Sequence, residues 1–423
     1  MKVAYLLPGS GGSFYCGNCT RDSFMSHSLR QSGFDVLMIP MYLPLSVDNC
    51  ETDSPIFYGA VNIYLEQISA VFKYLPSSLK KLLDSDKILR FAARQAGSTN
   101  ASGNELMTIS MLKGEHGKQA HDLEVLIQWL REHEKPDVVH LSNALLTGLA
   151  PRLKTELGCK VICTLQDEDE WVDAMREPFS SQTWKLIEEN AHFVDHFIAV
   201  STYYAGLIQS KINIAASKIS VIHNSIGSEI IRKNKHRETS PTIGYMSKIN
   251  SEFGADVLFD IFCKLKEIPE FNNLKLLYSG GYTDDYKSVL KYIKKKSSEL
   301  GIAGDIRFSN DLSFNGKKEF FESISLLCVP SRRKEAFGMY ILEAFAAEVP
   351  VVMPHIGAYP EIIQKSNAGI TYEPENTENL LLALKDVLGN PDKYNQLKQN
   401  CHPAIAQYFN TKNQSEKIGR IYT

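Results

Sequence analysis

Between residues 324 and 354 an apolar run stops at a proline, a polar loop follows, then a helix-forming segment, then a second apolar run; this order leaves few folds open. Ile324, Leu326, Leu327, Cys328 and Val329 read as a buried strand that closes at Pro330. Residues 331–338 form the loop, 341–348 carry helix formers, and Val349-Pro350-Val351-Val352-Met353-Pro354 reads as the next strand. The unit is a strand–helix–strand crossover. Its helix starts at the carboxyl end of a strand, where open parallel sheets bind ligands.

The chemistry of that corner follows from its spacing. Gly338 lets the backbone approach a ligand closely, and the unpaired N–H groups of the turn after it favour negative charge. Glu335 lies in the loop and Glu343 about one turn inside the helix, eight residues further on. Across a loop-to-helix junction two such carboxylates can line one cleft. Ionised carboxylates only accept hydrogen bonds, so the pair suits a ligand rich in hydroxyls whose phosphate is taken by the N–H groups. The plainer alternative makes Glu335 a helix cap and Glu343 a solvated surface acid.

Pro330-Ser331, Glu335-x-Phe337-Gly338-x4-Glu343-Ala344-x-Ala346, Val349-Pro350-Val351-Val352 and Gly357-x2-Pro360-Glu361 occur in that order. The series resembles the E-x7-E signature of retaining GT-B glycosyltransferases, and within them glycosyltransferase family four of the glycogen-synthase-like superfamily. The resemblance implies two Rossmann-like doubly wound α/β domains facing a cleft. It makes Glu335 the contact to the donor sugar and Glu343 the contact to the ribose of a nucleotide. Phe337, Gly338, Met339 and Tyr340 would hold sugar hydroxyls and diphosphate, largely through backbone.

Composition bounds the rest. A chain of 423 residues exceeds one comfortable core, and two domains of about 200 residues are the natural division. Lysine and arginine total 46 against 49 acids, a formal charge of −3, and the pI is near 6.4, so bulk nucleic-acid binding is not expected. No apolar run reaches the ~18 residues that span a bilayer, and the N-terminus shows no signal-peptide core. The eight cysteines are scattered, several in apolar strand-like stretches, which is a reduced, cytoplasmic pattern.

At the N-terminus, Val3-Ala4-Tyr5-Leu6-Leu7 is a strand followed by Pro8-Gly9-Ser10-Gly11-Gly12, a helix, and the strand Asp35-Val36-Leu37-Met38-Ile39. The glycines do not fit G-x-G-x-x-G, and no acid clearly ends the second strand to take a ribose, so a dinucleotide enzyme is disfavoured. By resemblance Gly11 and Gly12 close over the donor diphosphate. Cys16-Gly17-Asn18-Cys19 is a C-x-x-C without a second metal-ligand pair, so a structural or acceptor-side loop is the expectation and no metal site is assigned. Residues of about 50–120 form an irregular insertion. The apolar segment 63–75 and Lys73, Lys80, Lys81 and Lys87 leave open a lipid-linked acceptor or peripheral association with the inner face of a membrane.

A helix over 122–133 precedes strands at 137–141, 160–165, 197–200 and 219–222, each ending in polar residues. Such ends are what a parallel sheet presents at its rim. Where many members of the family carry a histidine after the strand corresponding to 160–165, this chain has Gln166, which can still hydrogen-bond a donor sugar. The run Asp167-Glu168-Asp169-Glu170 reads as a solvated loop or an acceptor contact. Residues 227–241 are polar and read as a linker between a first domain of 1–226 and a second of 242–404, with 405–423 as a terminal helix returning to the first.

The second domain opens with the strand 242–246 and then Ser247 and Lys248. By resemblance Lys248 stands where the family places an arginine on the donor phosphates, and Phe253 where it places a lysine. Lys248 serves as a point charge only, so Arg332, Arg333 or Lys334 are candidates to compensate. Tyr278-Ser279-Gly280-Gly281 ends a strand in the family's glycine pair, and Arg307 and Phe308 lie on a strand whose backbone, by resemblance, would be set against the nucleotide base. The lysine-rich helix of 286–300 presents a solvated face.

The resulting expectation is a cytoplasmic retaining hexosyltransferase of glycan synthesis. It moves a sugar from a UDP- or GDP-linked donor to a glycan, lipid-linked or small-molecule acceptor, with no cofactor. The resemblance implies no covalent protein intermediate, the departing diphosphate helping to deprotonate the acceptor, with positioning and charge stabilisation as the protein's contribution. The alternative is a non-catalytic nucleotide- or glycan-binding protein of the same fold.

Overall fold

A computed structural model describes residues 1–8, 17–41, 103–227, 240–281, 286–374 and 376–423. The chain divides into two units, one of residues 1–223 with 414–423 and one of residues 224–413.

In the first unit β1 (Lys2–Leu7), β2 (Asp35–Pro40), β3 (Val138–Leu141), β4 (Lys160–Leu165), β5 (His196–Ala199) and β6 (Ile219–Val221) form one sheet in the order β2-β1-β3-β4-β5-β6. Every pairing is parallel. Parallel strands need crossovers, and the helices α1 (Gly17–Gln31), α2 (Glu105–Leu112), α3 (Ala120–Trp129), α4 (Ala150–Leu157), α5 (Glu168–Val172), α6 (Phe179–Ala191) and α7 (Thr202–Lys211) lie along those connections. The central strands are sequestered on both faces, which is why β1 reads as a continuous apolar run after Lys2 and every residue of β3 is buried. Val3, Tyr5, Met25, Leu29, Met38 and Ile162 belong to the resulting core.

In the second unit β7 (Thr242–Met246), α8 (Ala255–Lys266), β8 (Lys275–Ser279), α9 (Tyr286–Glu299), β9 (Ile306–Ser309), α10 (Phe314–Ser323) and β10 (Leu326–Cys328) make the first half. The second half is α11 (Met339–Ala346), β11 (Val351–Pro354), α12 (Tyr359–Ser366), β12 (Gly369–Tyr372), α13 (Thr377–Leu388) and α14 (Pro391–Tyr408). The strand order is β12-β11-β10-β7-β8-β9, again all parallel. Read from the β9 edge, this is the doubly wound order whose direction reverses between the first and fourth strands, here β7 and β10. Gly244, inside β7, makes this half close tightly. A Cβ there would lie 2.5 Å from Ile324 Cδ1 and 2.9 Å from Phe320 Cζ, so α10 packs directly onto the strand.

The last helix, α15 (Thr411–Tyr422), begins later than the residue 405 expected, after α14 has continued through Pro403 to Tyr408. Its end belongs to the first unit. Tyr422 and Ile418 join that core, Ser415 Oγ lies 2.8 Å from Ser28 Oγ, and Lys160 Nζ donates to the Ile421 carbonyl at 2.6 Å.

Several expectations fall on residues outside those described: Gly11, Gly12, Cys16, most of the linker, the apolar segment 63–75 and its neighbouring lysines. Among the described residues no helix is long and apolar enough to cross a membrane. Cys159, Cys163, Cys263, Cys328 and Cys401 are free, and burial pushes the Cys159 and Cys263 thiols up to about 11.

Candidate active site

In the second unit the switch between β7 and β10 brings together two loops, 247–254 and 329–338. The first is folded on itself: Tyr245 Oη donates to the Lys248 and Phe253 carbonyls at 2.7 and 3.2 Å, and Phe253 N–H donates to Asn250 Oδ1 at 2.9 Å. Gly254 ends it with φ +73°, and a Cβ there would sit 2.0 Å from the Pro330 carbonyl, so only glycine lets the two loops touch. Arg332 ties them further through both oxygens of Asp256, and Arg333 through Glu252. Both arginines were candidates to replace the missing cation; the structure pairs Arg332 with Asp256 in the first turn of α8 and Arg333 with Glu252 of the facing loop.

Lys248 is half-buried, its ammonium 5.7 Å from the centre of the Phe253 ring. Phe253, in the place expected of a lysine, is buried beside it and offers a π face to that charge. Ser247 lies under Gly280, where a Cβ would fall 1.7 Å from the Ser247 carbonyl.

Gly338 precedes α11 with φ +88° and no side chain caps the helix, so Glu335 is not its cap. Glu335 is half-buried and accepts from Tyr340 Oη at 2.8 Å; the Tyr340 and Tyr359 hydroxyls are 2.7 Å apart. Burial, then the Glu335 charge, raises both phenols well above their ordinary value, so they remain hydrogen-bond donors. The Glu335 backbone is fixed as well. Ala358 N–H donates to its carbonyl at 3.1 Å, and Gly357, at φ +57°, leaves no room there for a Cβ. Phe337 is buried with its ring against Phe409, and Met339 is buried too.

Glu343 is buried to 8% exposure, not a solvated surface acid, and accepts from Lys317 Nζ at 2.7 Å. Phe308 stacks on Tyr278 at 5.1 Å between ring centres, whereas Arg307 is exposed on β9, which lies at the sheet edge. The loop carrying Ser247 and Lys248 and the loop carrying Glu335 through Gly338, with the start of α11, therefore meet; Arg307 stands apart at the sheet edge.

The first unit has its own polar cluster at the strand ends. Arg21 donates through Nε to Asp22 Oδ1 at 2.7 Å, through Nη1 to Gln166 Oε1 at 2.8 Å and through Nη2 to the Ser142 carbonyl at 2.9 Å. Because a guanidinium only donates, the Gln166 atom facing it is the oxygen, and Gln166 Nε2 donates to Asp167 Oδ2 at 3.2 Å. Tyr5 Oη donates to Asp22 at 2.9 Å. Burial works against the Arg21 charge, but Asp22 and Tyr5 outweigh it and hold the guanidinium above its usual range; burial pushes Asp22 up against the pull of Arg21.

The acidic run is a correction to the solvated-loop expectation. Asp167 adopts a left-handed backbone at φ +63°, and Glu168 turns inward to 1% exposure, accepting from Ala144 N–H at 2.8 Å and Tyr204 Oη at 2.7 Å. His140, also buried, lies 2.5 Å from Tyr422 Oη and 2.7 Å from Thr164 Oγ1, and burial first, then Arg21, pushes its pKa down to about 3. Sequence reading missed Arg21, Asp22, Lys317 and Tyr359. Only Tyr359 had a local sign, its place beside Gly357 and Pro360.

Two parallel six-stranded sheets, each with polar groups gathered at its strand ends, define a protein of the GT-B class. Residues 228–402 match the family described as glycosyl transferases group 1, and residues 111–229 match glycosyltransferase family 4. The chain belongs to these family-four, group 1 glycosyltransferases. It is 24% identical over 350 residues, 80% of this chain and 90% of the relative, to an uncharacterized glycosyltransferase of Methanocaldococcus jannaschii. Its fold is similar over 100% of its length to 98% of sucrose-phosphate synthase from Thermosynechococcus elongatus, with a TM-score of 0.71 and 14% identity. The Anabaena protein HepE, solved in complex with UDP, is similar over 100% of this chain and 99% of its own, with a TM-score of 0.68 and 14% identity.

Proposed function

We propose that the chain transfers a hexosyl group from a nucleoside-diphosphate sugar to a hydroxyl of a glycan, lipid-linked or small-molecule acceptor, with retention of anomeric configuration. The observation that carries the reading is the half-buried Glu335 carboxylate, held by Tyr340 at the start of α11 beside the Lys248 loop. A carboxylate so placed accepts sugar hydroxyls, while the N-terminal ends of α8 and α11 and the Lys248 ammonium favour a diphosphate.

In the reaction the bond from the anomeric carbon to the diphosphate oxygen breaks and a bond to the acceptor oxygen forms on the same face. The acceptor proton passes to the departing diphosphate. Glu335 orients the sugar; Lys248, Ser247 and the backbone of residues 337–339 bind the diphosphate. Glu343 is assigned to the ribose, Arg307 and Phe308 to the base side, Gly11 and Gly12 to the donor, and Gln166 to a sugar hydroxyl through its amide.

The test follows release of nucleoside diphosphate from UDP-glucose, UDP-N-acetylglucosamine, UDP-galactose and GDP-mannose, with the anomeric coupling of any product read by NMR. An α-linked product that Glu335→Ala abolishes while the fold persists is expected. A β-linked product from these α-linked donors would overturn retention, and undiminished turnover in Glu335→Ala would overturn the role of Glu335. Binding of a nucleotide-sugar without diphosphate release would favour the non-catalytic reading, for which Phe253 in a cation's place is the motive.

A further inference from the structure

Glu343 and Lys317 come from helices that begin at different strands, α11 after β10 and α10 after β9, yet their charged groups meet at 2.7 Å. Both side chains are nearly closed to solvent, 14% exposed for Lys317 and 9% for Glu343. The meeting is built into the packing. Gly244 in β7 leaves the space that Ile324 and Phe320 fill, which seats α10 against β7; Lys317 lies in the first turn of that helix.

A side chain as long as glutamate, sited in the first turns of a helix, samples several rotamers unless a partner restricts it. A charge-assisted bond from a second helix removes that freedom without exhausting the acceptor capacity of a carboxylate, which has about four lone-pair sites. The ammonium likewise has three donors. The pair can therefore receive a diol, one hydroxyl donating to the carboxylate and one oxygen accepting from the ammonium.

We propose that Lys317 is a positioning residue for the nucleotide ribose. It fixes the Glu343 carboxylate so that the site recognises the 2′,3′-diol and prefers ribonucleotides to 2′-deoxyribonucleotides. This rests on the reading of Glu343 given under the proposed function. A lysine acting only as structural glue, or only as a cation for phosphate, would not distinguish the two sugars.

The test is titration calorimetry of the full chain with UDP and GDP and with their 2′-deoxy counterparts. The unaltered protein should bind the ribose form of whichever base it accepts at least about tenfold more tightly, the worth of one charge-assisted hydrogen bond. Lys317→Met should reduce that ratio to within about threefold while changing deoxynucleotide affinity little, and Lys317→Arg should restore part of it. Glu343→Gln, which keeps the shape and removes the charge, should lose the same discrimination even if Lys317→Met is poorly folded. Equal weakening of both forms by Lys317→Met, or an undiminished ratio, would overturn the assignment. Failure of the unaltered chain to bind any of the four nucleotides would instead overturn the donor reading itself, and this inference with it.

Discussion

Tyr340 Oη donates to Glu335 Oε1 at 2.8 Å, so the carboxylate before α11 is aimed by a residue from that helix's first turn. Five residues separate them, and Gly338 between them supplies the left-handed turn that brings them face to face. A buried phenol with a raised pKa does not compete for the negative charge; it holds the charge where a sugar would meet it.

Tyr340→Phe tests this aim. It removes the bond to Glu335, worth about 1.5–3 kcal/mol when the acceptor is charged, together with the contact to the Tyr359 hydroxyl, and leaves the ring. Turnover should fall by about tenfold or more while donor affinity changes little. Glu335→Gln should be more severe, a loss of about a hundredfold or more. Steady-state kinetics separate the effects, and equal turnover in Tyr340→Phe and the unaltered chain would remove Tyr340 from the site.

The glycine pair after β8 should prove unequal. A Cβ on Gly280 would lie 1.7 Å from the Ser247 carbonyl, whereas one on Gly281 meets nothing within 4 Å. Gly280→Ala must displace the Ser247–Lys248 loop and should lower the urea midpoint together with donor affinity. Gly281→Ala should stay within about 0.5 kcal/mol of the unaltered chain. Comparable losses in both would mean that the loop does not rest on residue 280.

Stability should depend on pH through His140, whose pKa burial lowers to about 3. The unfolded chain takes up this proton near pH 6.5 and the folded chain does not, so stability is retained above that value. It then falls as pH drops from about 6.5 towards 3, by at most about 1.4 kcal/mol per unit. Arg21 opposes the imidazolium, and Tyr5 and Tyr422 pack on the ring and shut it from water. His196, also lowered by burial, adds the same sign. Asp22 and Glu168, raised by burial, act oppositely as pH enters the carboxylate range. Denaturant midpoints between pH 7.5 and 5 should therefore decline, and His140→Asn should flatten that slope while lowering the starting stability.

What was legible in the sequence was local. The strand at β10, the glycine at the head of α11 and the two acids around it lie within one short stretch, where burial period and turn chemistry are written in neighbouring residues. The polar ends of β3, β4 and β5 were readable for the same reason. Contacts closed by the fold were not. Lys317 reaches Glu343 across 26 residues and Arg21 reaches Gln166 across 145, and no local pattern marks either pair. Arg332 and Arg333 looked available for phosphate because their acids, Asp256 and Glu252, lie 76 and 81 residues upstream. Glu168 was misread because an acidic run shows nothing of the inward turn that the left-handed Asp167 imposes.

The Arg21–Asp22 pair offers the sharpest stability test, since both charges are buried and each compensates the other. Arg21 is 4% exposed and Asp22 1%, and the guanidinium also supplies the bonds to Gln166 and the Ser142 carbonyl. Arg21→Met strands a buried carboxylate and leaves two acceptors without their donor, and removal of one member of a buried pair costs about 3–5 kcal/mol. Asp22→Asn keeps the size and a hydrogen-bonding oxygen but not the charge, so it should cost less than Arg21→Met. In Arg21→Met/Asp22→Leu the orphaned charge is gone, and stability should recover part of the way towards the unaltered chain. Gln166, with its orienting donor lost, can then rotate its amide, and turnover should stay low even where stability has returned. Urea titration and donor turnover on the same three variants check this. If the double variant is as unstable as the sum of the single changes, the pair is not coupled. If turnover recovers along with stability, Arg21 serves the fold and not the orientation of Gln166.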